Sequence, residues 1–342
     1  MTTLRQEISQ FSAELGKDRL VAQGAGGNVS WKEGELLWIK GSGTWLAEAD
    51  IKDIFVPVNL LNLTSALSRK DFDIKPQLIG EHILRPSIET MLHALMPQKI
   101  VAHLHLIDAL TYLVNKDGQR MLARLFEESL DDLLQVAFVQ YEKPGPQLAQ
   151  AIQEVLMERP KTNVIFLKNH GIVLGAESID QVKSLLKNIM SICAPNKGFS
   201  NAPLEQLPFV INELRESYIP YPDTEVQVLA LDPSLYKRLE LDWVLYPDHL
   251  VFLGEKSFSF SSWADLLCKK ESLAEFPELI FIQNTGVFVK PSFNLAKTAQ
   301  LRCYYDVISR VPPDAILEPL SRRAINDLLN WDAEKYRIDL SR

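Results

Sequence analysis

The sequence predicts an α/β protein built of two units. Three observations carry this: a length of 342 residues, short β-compatible apolar runs alternating with helical periodicity in the first half, and a turn-rich stretch dividing the chain. With 46% hydrophobic and 23% charged residues there is ample material for a folded core.

Leu4, Ile8, Phe11 and Leu15 recur three and four residues apart, which predicts an amphipathic helix ending near Gly16. The glycine-rich turn Gly24-Ala25-Gly26-Gly27-Asn28 follows, then a strand-like run from Leu36 to Ile39, then a second small-residue turn, Gly41-Ser42-Gly43-Thr44. Pro86-Ser87-Ile88-Glu89 opens a helix-like run to Met96, and Ile100 to Leu106 is short, apolar and β-compatible. Asn163 to Leu174 predicts two strands broken at Asn169-His170-Gly171, and Ser178 to Ile192 returns to the helical period. Between Ala194 and Pro208 the chain is rich in Pro, Gly, Asn and Ser without apolar periodicity, which places the unit boundary there: residues 1–205 and residues 206–342.

The second unit carries a faded copy of part of the first. Val164 to Leu174 aligns without a gap on Leu279 to Val289, and with one residue of slippage Ser178 and Lys183 align on Ser292 and Lys297. The apolar pattern, the Asn-x-Gly turn and the start of the following helix all recur, which predicts a duplicated supersecondary unit. In the second copy His170 is replaced by Thr285.

A net charge of −8, from 36 Lys+Arg against 44 Asp+Glu, repels phosphate backbones and anionic lipid headgroups, so neither nucleic acid nor a membrane is expected as a partner. Cys193, Cys268 and Cys303 follow no CxxC spacing, which argues against a disulfide framework and a thiolate metal site and for a reducing compartment. The first residues have no apolar secretory core, and no run reaches the roughly 18 apolar residues of a membrane span. Cytoplasmic location is expected.

Among six histidines, His103 and His105 stand two apart in a β-compatible run, so in a strand both rings project from one face and Leu104 from the other. A third imidazole, His170 in the Asn-His-Gly turn, would complete a three-nitrogen site with an open position for substrate. The competing reading is a polar face on an edge strand. Glu89, at a helix N-terminus, either stabilises the helix dipole or serves as a proton-transfer base beside a cation. His93, one helical turn on, reads as a structural hydrogen-bonding residue, and His249 as a turn residue. Gly27-Asn28 and Ser42-Gly43-Thr44 offer backbone N–H groups and small hydroxyls to an oxyanion.

Taken in order, Gly27-Asn28-Val29-Ser30, Gly41-Ser42-Gly43-Thr44, Pro86-Ser87-Ile88-Glu89-Thr90, His103-Leu104-His105 and Asn169-His170-Gly171 resemble the class II aldolase/adducin family over about residues 1–195. The Pro-Ser-Ile-acid form, Lys143-Pro144-Gly145 and the stretch from Leu328 to Tyr336 are most similar to the aldolase half of bifunctional rhamnulose-1-phosphate aldolase/short-chain dehydrogenases. The resemblance implies a three-layer α/β/α domain with a central, mainly antiparallel sheet, followed by a smaller α/β domain that serves structure, oligomerisation or closure.

It also implies roles. His103, His105 and His170 match the metal ligands, for Zn2+ or another divalent transition metal, and Glu89 matches the acid/base. Asn28, Ser42, Gly43 and Ser87 match the phosphate-holding positions, although Ile88 stands where a second serine is common. Tyr141 falls where family members often carry a tyrosine that, from a neighbouring subunit, protonates the leaving aldehyde. The implied activity is a zinc-dependent lyase that cleaves or forms a C–C bond in a small ketose or ketose phosphate through a metal-stabilised enediolate, in a homo-oligomer. Sugar-phosphate epimerase, dehydratase or decarboxylase activity at the same site is the alternative, and an adducin-like scaffold is the non-catalytic one. The dehydrogenase half is absent from this sequence, so no nicotinamide chemistry is expected.

Overall fold

The structure, a computed structural model, describes residues 3–129, 131, 133–194, 207–270, 273 and 275–340. Most of the expected linker and the boundary at 205/206 lie outside the described residues. The first predicted helix is α1 (Leu4–Lys17), opened by a reciprocal cap between Thr3 and Gln6 and burying Ile8, Phe11 and Leu15.

Seven strands form the first sheet. β1 (Asn28–Glu33) and β2 (Leu36–Lys40) make a hairpin, with β3 (Phe55–Asn59) outside it and β4 (Ile100–Leu104) inside. β5 (Val136–Val139), β6 (Val164–Leu167) and β7 (Gly171–Ala176) complete the order β3-β2-β1-β4-β7-β6-β5. Every neighbouring pair is antiparallel except β5 with β6. β4 is therefore a central strand, which removes the edge-strand reading of its histidines.

The period-2 alternation sorts side chains between two layers. α2 (Leu60–Ser68), α3 (Thr90–Leu95) and α6 (Pro146–Glu158) cover one face, where Val101, Ile165 and Val173 pack. α4 (Ile107–Leu113), α5 (Gly118–Ser129) and α7 (Ile179–Cys193) join α1 on the other, against Ile100, Ala102 and Leu104. Leu104 thus faces away from His103, as expected. The helix predicted from Pro86 begins only at Thr90. Pro86 bridges to Gly41, and the Ser87 carbonyl accepts from both Thr90 N–H and Thr90 Oγ1, so residues 86–89 are held as a turn.

The second unit contains β8 (Ile219–Pro220), α8 (Val228–Leu231), α9 (Pro233–Leu241), α10 (Pro247–Leu253), β9 (Ser259–Phe260), α11 (Trp263–Lys269), β10 (Leu279–Ile282), β11 (Gly286–Val289) and α12 (Leu295–Ile308). α13 (Arg322–Leu329) and α14 (Asp332–Leu340) follow. Its sheet order, β8-β11-β10-β9 with two antiparallel pairs and then a parallel one, repeats β4-β7-β6-β5. Asn169 and Asn284 both adopt positive φ, 52° and 55°, and their N–H groups donate to Leu113 O of α4 and Ala230 O of α8. The repeat seen in the sequence therefore extends over the second sheet and four strands of the first, β4 to β7, with α10 as an inserted element.

The registers show which residues of the second unit occupy the positions of the histidines. His103 lies opposite Val173, and Pro220 lies opposite Phe288, the counterpart of Val173. Pro220 thus stands for His103, Pro222 for His105 and Thr285 for His170. The two units share a core through α4, whose Ile107, Leu110 and Val114 side pack with Leu245, Leu250, Leu301 and Tyr304. His249 is buried within α10 beside Trp243 and Tyr304, not in a turn.

Candidate metal centre

The three histidines predicted to meet do so. His103 comes from the middle of the sheet, His105 from just beyond the end of β4, and His170 from the β6–β7 turn. Their ring centroids are 5.1, 4.7 and 5.4 Å apart, and one nitrogen from each lies within 4.8 Å of the others. All three are buried.

His103 Nδ1 is 3.0 Å from Ile172 O, which can only accept, so Nδ1 carries the proton and Nε2 presents its lone pair. His103 Nε2 and His105 Nε2 are 3.2 Å apart. Two nitrogens bound at about 2.0–2.1 Å to one tetrahedral ion are roughly 3.3 Å apart, so this spacing suits a shared cation. Burial drives the His105 ring well below its ordinary value, and takes His170 down to about 4 against the opposing pull of Glu89. Neutral imidazoles are what a metal requires.

Glu89 stands at the N-cap of α3, yet its side chain makes no capping bond. Its Oε2 accepts from Asn28 Nδ2 at 2.9 Å and lies 3.5 Å from His103 Nε2, while Oε1 lies 3.4 Å from His170 Nε2. Burial raises this carboxyl, whereas the facing His103 and His170 rings, in their protonated form, and the Asn28 amide bring it down to about 2. Asn28 begins β1 directly opposite His103, and its Oδ1 faces His93 Nε2. His93 Nδ1 in turn meets Ser30 Oγ at 2.7 Å, so His93 orients Asn28 in the structural role expected of it.

Ser42, Gly43 and Ser87 line the same cavity as Asn28, Glu89, His105 and His170. The free space is ≈ 20 Å³, room for about one water. Tyr141 is not brought here. It lines a separate groove with Lys143 and Asp327, its hydroxyl is buried without a partner, and burial pushes its pKa up.

Sequence reasoning missed three charged residues of the cavity. Lys40 Nζ donates to Ala25 O at 3.0 Å and Thr44 O at 2.6 Å, joining the two glycine-rich turns, and burial with Arg337 nearby lowers it to about 7. Asp248 of α10 and Arg337 of α14 enter from the second unit. No local pattern marks either: an acid after Pro247 reads as a helix-start residue, and Arg337 as a solvated helix cation.

Among the described residues no helix is long and apolar enough to cross a membrane. Residues 6–194 match the family described as Class II Aldolase and Adducin N-terminal domain. The chain is 29% identical over 191 residues to the "Uncharacterized oxidoreductase YuxG" of Bacillus subtilis, covering 51% of this chain and 26% of that one, so it spans about a quarter of that relative's length. It is 28% identical over 173 residues to the "L-fuculose phosphate aldolase" of Methanocaldococcus jannaschii, covering 48% of this chain and 80% of the relative. A class II aldolase domain structure from Thermoplasma acidophilum is 22% identical, with a TM-score of 0.48 over 56% of this chain and 93% of the other. With the match spanning residues 6–194, more than half its length, the chain belongs to the class II aldolase and adducin N-terminal domain family.

Proposed function

We propose that this protein is a metal-dependent class II aldolase-type lyase, cleaving or forming a C–C bond beside the carbonyl of a small ketose or its phosphate. The observation that carries this reading is Glu89, placed 3.4–3.5 Å from two of three convergent imidazoles and spared from capping its helix. His103, His105 and His170 would hold the ion, with Zn2+ the proposed species because a three-imidazole donor set suits it. When bound, the ion supplies Lewis-acid stabilisation of negative charge next to a carbonyl.

Glu89 moves a proton to and from the substrate carbon adjacent to the carbonyl, and Asn28 keeps its Oε2 oriented for that transfer. Ser42, Gly43 and Ser87 hold the substrate's phosphate or terminal hydroxyls through hydroxyl and backbone N–H donors, and Lys40 braces the two turns on that side. Ile88 contributes no hydroxyl, which leaves room for an unphosphorylated substrate.

The test is incubation of the full chain, loaded with Zn2+, with a panel of ketoses and ketose phosphates, following aldehyde release. The expected result is turnover that Glu89→Gln lowers by about 10²–10⁴-fold. Metal-loaded protein that cleaves nothing while epimerising, dehydrating or decarboxylating a panel member overturns the lyase reading. Failure to bind metal at all overturns the enzyme reading in favour of the scaffold.

A further inference from the structure

Asp248 belongs to α10, the helix inserted into the second copy of the repeat, outside the residues that match the family. Its two carboxylate oxygens have different surroundings. Oδ1 accepts from Arg337 Nη2 at 2.8 Å, and Arg337 Nη1 donates to Glu334 Oε2 at 2.9 Å. Oδ2 is buried with no hydrogen-bond partner and faces His105 Nδ1 at 3.6 Å. A buried carboxylate oxygen left unpaired costs stability, so one held in place by an arginine and aimed at an imidazole calls for a reason.

Gly26 makes room for this pair. A Cβ at position 26 would lie 2.7 Å from both Asp248 Oδ2 and His105 Nδ1. On the other side of the ring, His105 Nε2 points at His103 Nε2, 3.2 Å away, where the cation would sit. The ring therefore lies between the proposed ion position and a carboxylate of the second unit. A metal-ligating histidine commonly gives its other N–H to a carboxylate, which sets the tautomer and raises the basicity of the ligating nitrogen.

We propose that Asp248, clamped by Arg337, is a positioning residue that holds His105 with its proton on Nδ1 and Nε2 toward the metal, so that the second unit sets the affinity of the first unit's metal site. The inference rests on the metal reading of the three histidines. A bound cation would polarise the ring and make Nδ1–H a stronger donor toward the Asp248 oxygen that faces it at 3.6 Å. The second unit, which has Pro220, Pro222 and Thr285 at the positions equivalent to the three histidines, thereby contributes to the site of the first.

The test uses the full chain and Zn2+ alone, by competition against a chelator, with Co2+ absorption as a second signal and circular dichroism as the check on folding. Asp248→Ala is expected to weaken Zn2+ about 10–100-fold and to shift the Co2+ spectrum, while Asp248→Asn, which keeps an acceptor oxygen, recovers a substantial part. Arg337→Met is expected to fall between wild type and Asp248→Ala. Unchanged Zn2+ affinity in folded Asp248→Ala overturns the inference while leaving the metal site intact; wild-type protein that binds neither ion removes the metal reading itself. Where Asp248→Ala does not fold, the ¹⁵N ring signals of His105 in the wild-type chain decide: a proton on Nε2 rather than Nδ1 overturns the proposal.

Discussion

Asn28 Nδ2 donates to Glu89 Oε2 across 2.9 Å, and the same amide turns its oxygen toward His93. Strand β1 therefore hands the carboxylate of α3 a fixed orientation, from a position directly opposite His103 in the sheet. Replacing Asn28 with Asp sets a second carboxylate beside Glu89. The Glu89 pKa is expected to rise from about 2 by roughly one unit or more, read by a carboxyl ¹³C titration of the metal-free chain.

His103→Ala removes the imidazole of the three that comes from within the sheet. If the proposed site holds Zn2+, the wild-type chain is expected to carry about one ion and the variant none measurable at micromolar metal, by elemental analysis after gel filtration. The His93→Ala chain, which loses the ring's bonds to Asn28 and Ser30 but none of the three convergent imidazoles, is expected to bind metal where the wild type does.

Acid should destabilise the metal-free protein well before its carboxylates titrate. Burial lowers His93 and His249 to about 3 and His170 to about 4, so below the ordinary value of 6.5 these rings stay neutral in the fold and take up protons on unfolding. Stability is therefore expected to fall from pH 6.5 toward pH 4, by about 1.4 kcal/mol per pH unit for each ring. Urea titrations at several pH values measure the slope; a flat profile would contradict neutral burial.

Asn169 does more than occupy the left-handed region. Its Nδ2 donates to Leu245 O at 2.8 Å and Glu318 O at 2.7 Å, tying the turn that carries His170 to the second unit. Asn169→Ala loses both bonds and strains a positive φ, for an expected cost of about 2–4 kcal/mol in chemical denaturation. Asn284→Ala, at the equivalent corner of the second sheet, is expected to cost about 1–2 kcal/mol, mainly from backbone strain.

Gly43, at φ 79°, lies under the end of α14: a Cβ there would meet Leu340 Cδ1 at 2.6 Å. Gly43→Ala is expected to destabilise by about 1–2 kcal/mol, and Leu340→Ala to recover the part due to the clash but not the part due to φ. A double-mutant cycle on thermal unfolding separates the two.

The sequence carried the local half of this protein. Apolar periodicity marked α1, β4 and α7, and the Asn-x-Gly turn marked both β6–β7 and β10–β11, because these signals reside in neighbouring residues and in side chains that alternate or recur on one face. The spacing of His103 and His105 already placed two rings on one side of a strand. The start of α3 was misread by four residues, since what holds 86–89 out of the helix is a bridge to Gly41 and a turn closed by Ser87, neither visible as periodicity.

What tertiary structure alone decided is which distant groups share the buried space around those rings. Lys40 is directed inward by carbonyls of two glycine-rich turns, and Asp248 and Arg337 arrive from helices more than 140 residues beyond His105. A short-range pattern encodes which face a residue takes; it holds no record of what packs against that face. That depends on the whole chain's burial of its apolar surface, here on the α4 seam that fastens the second unit over the first.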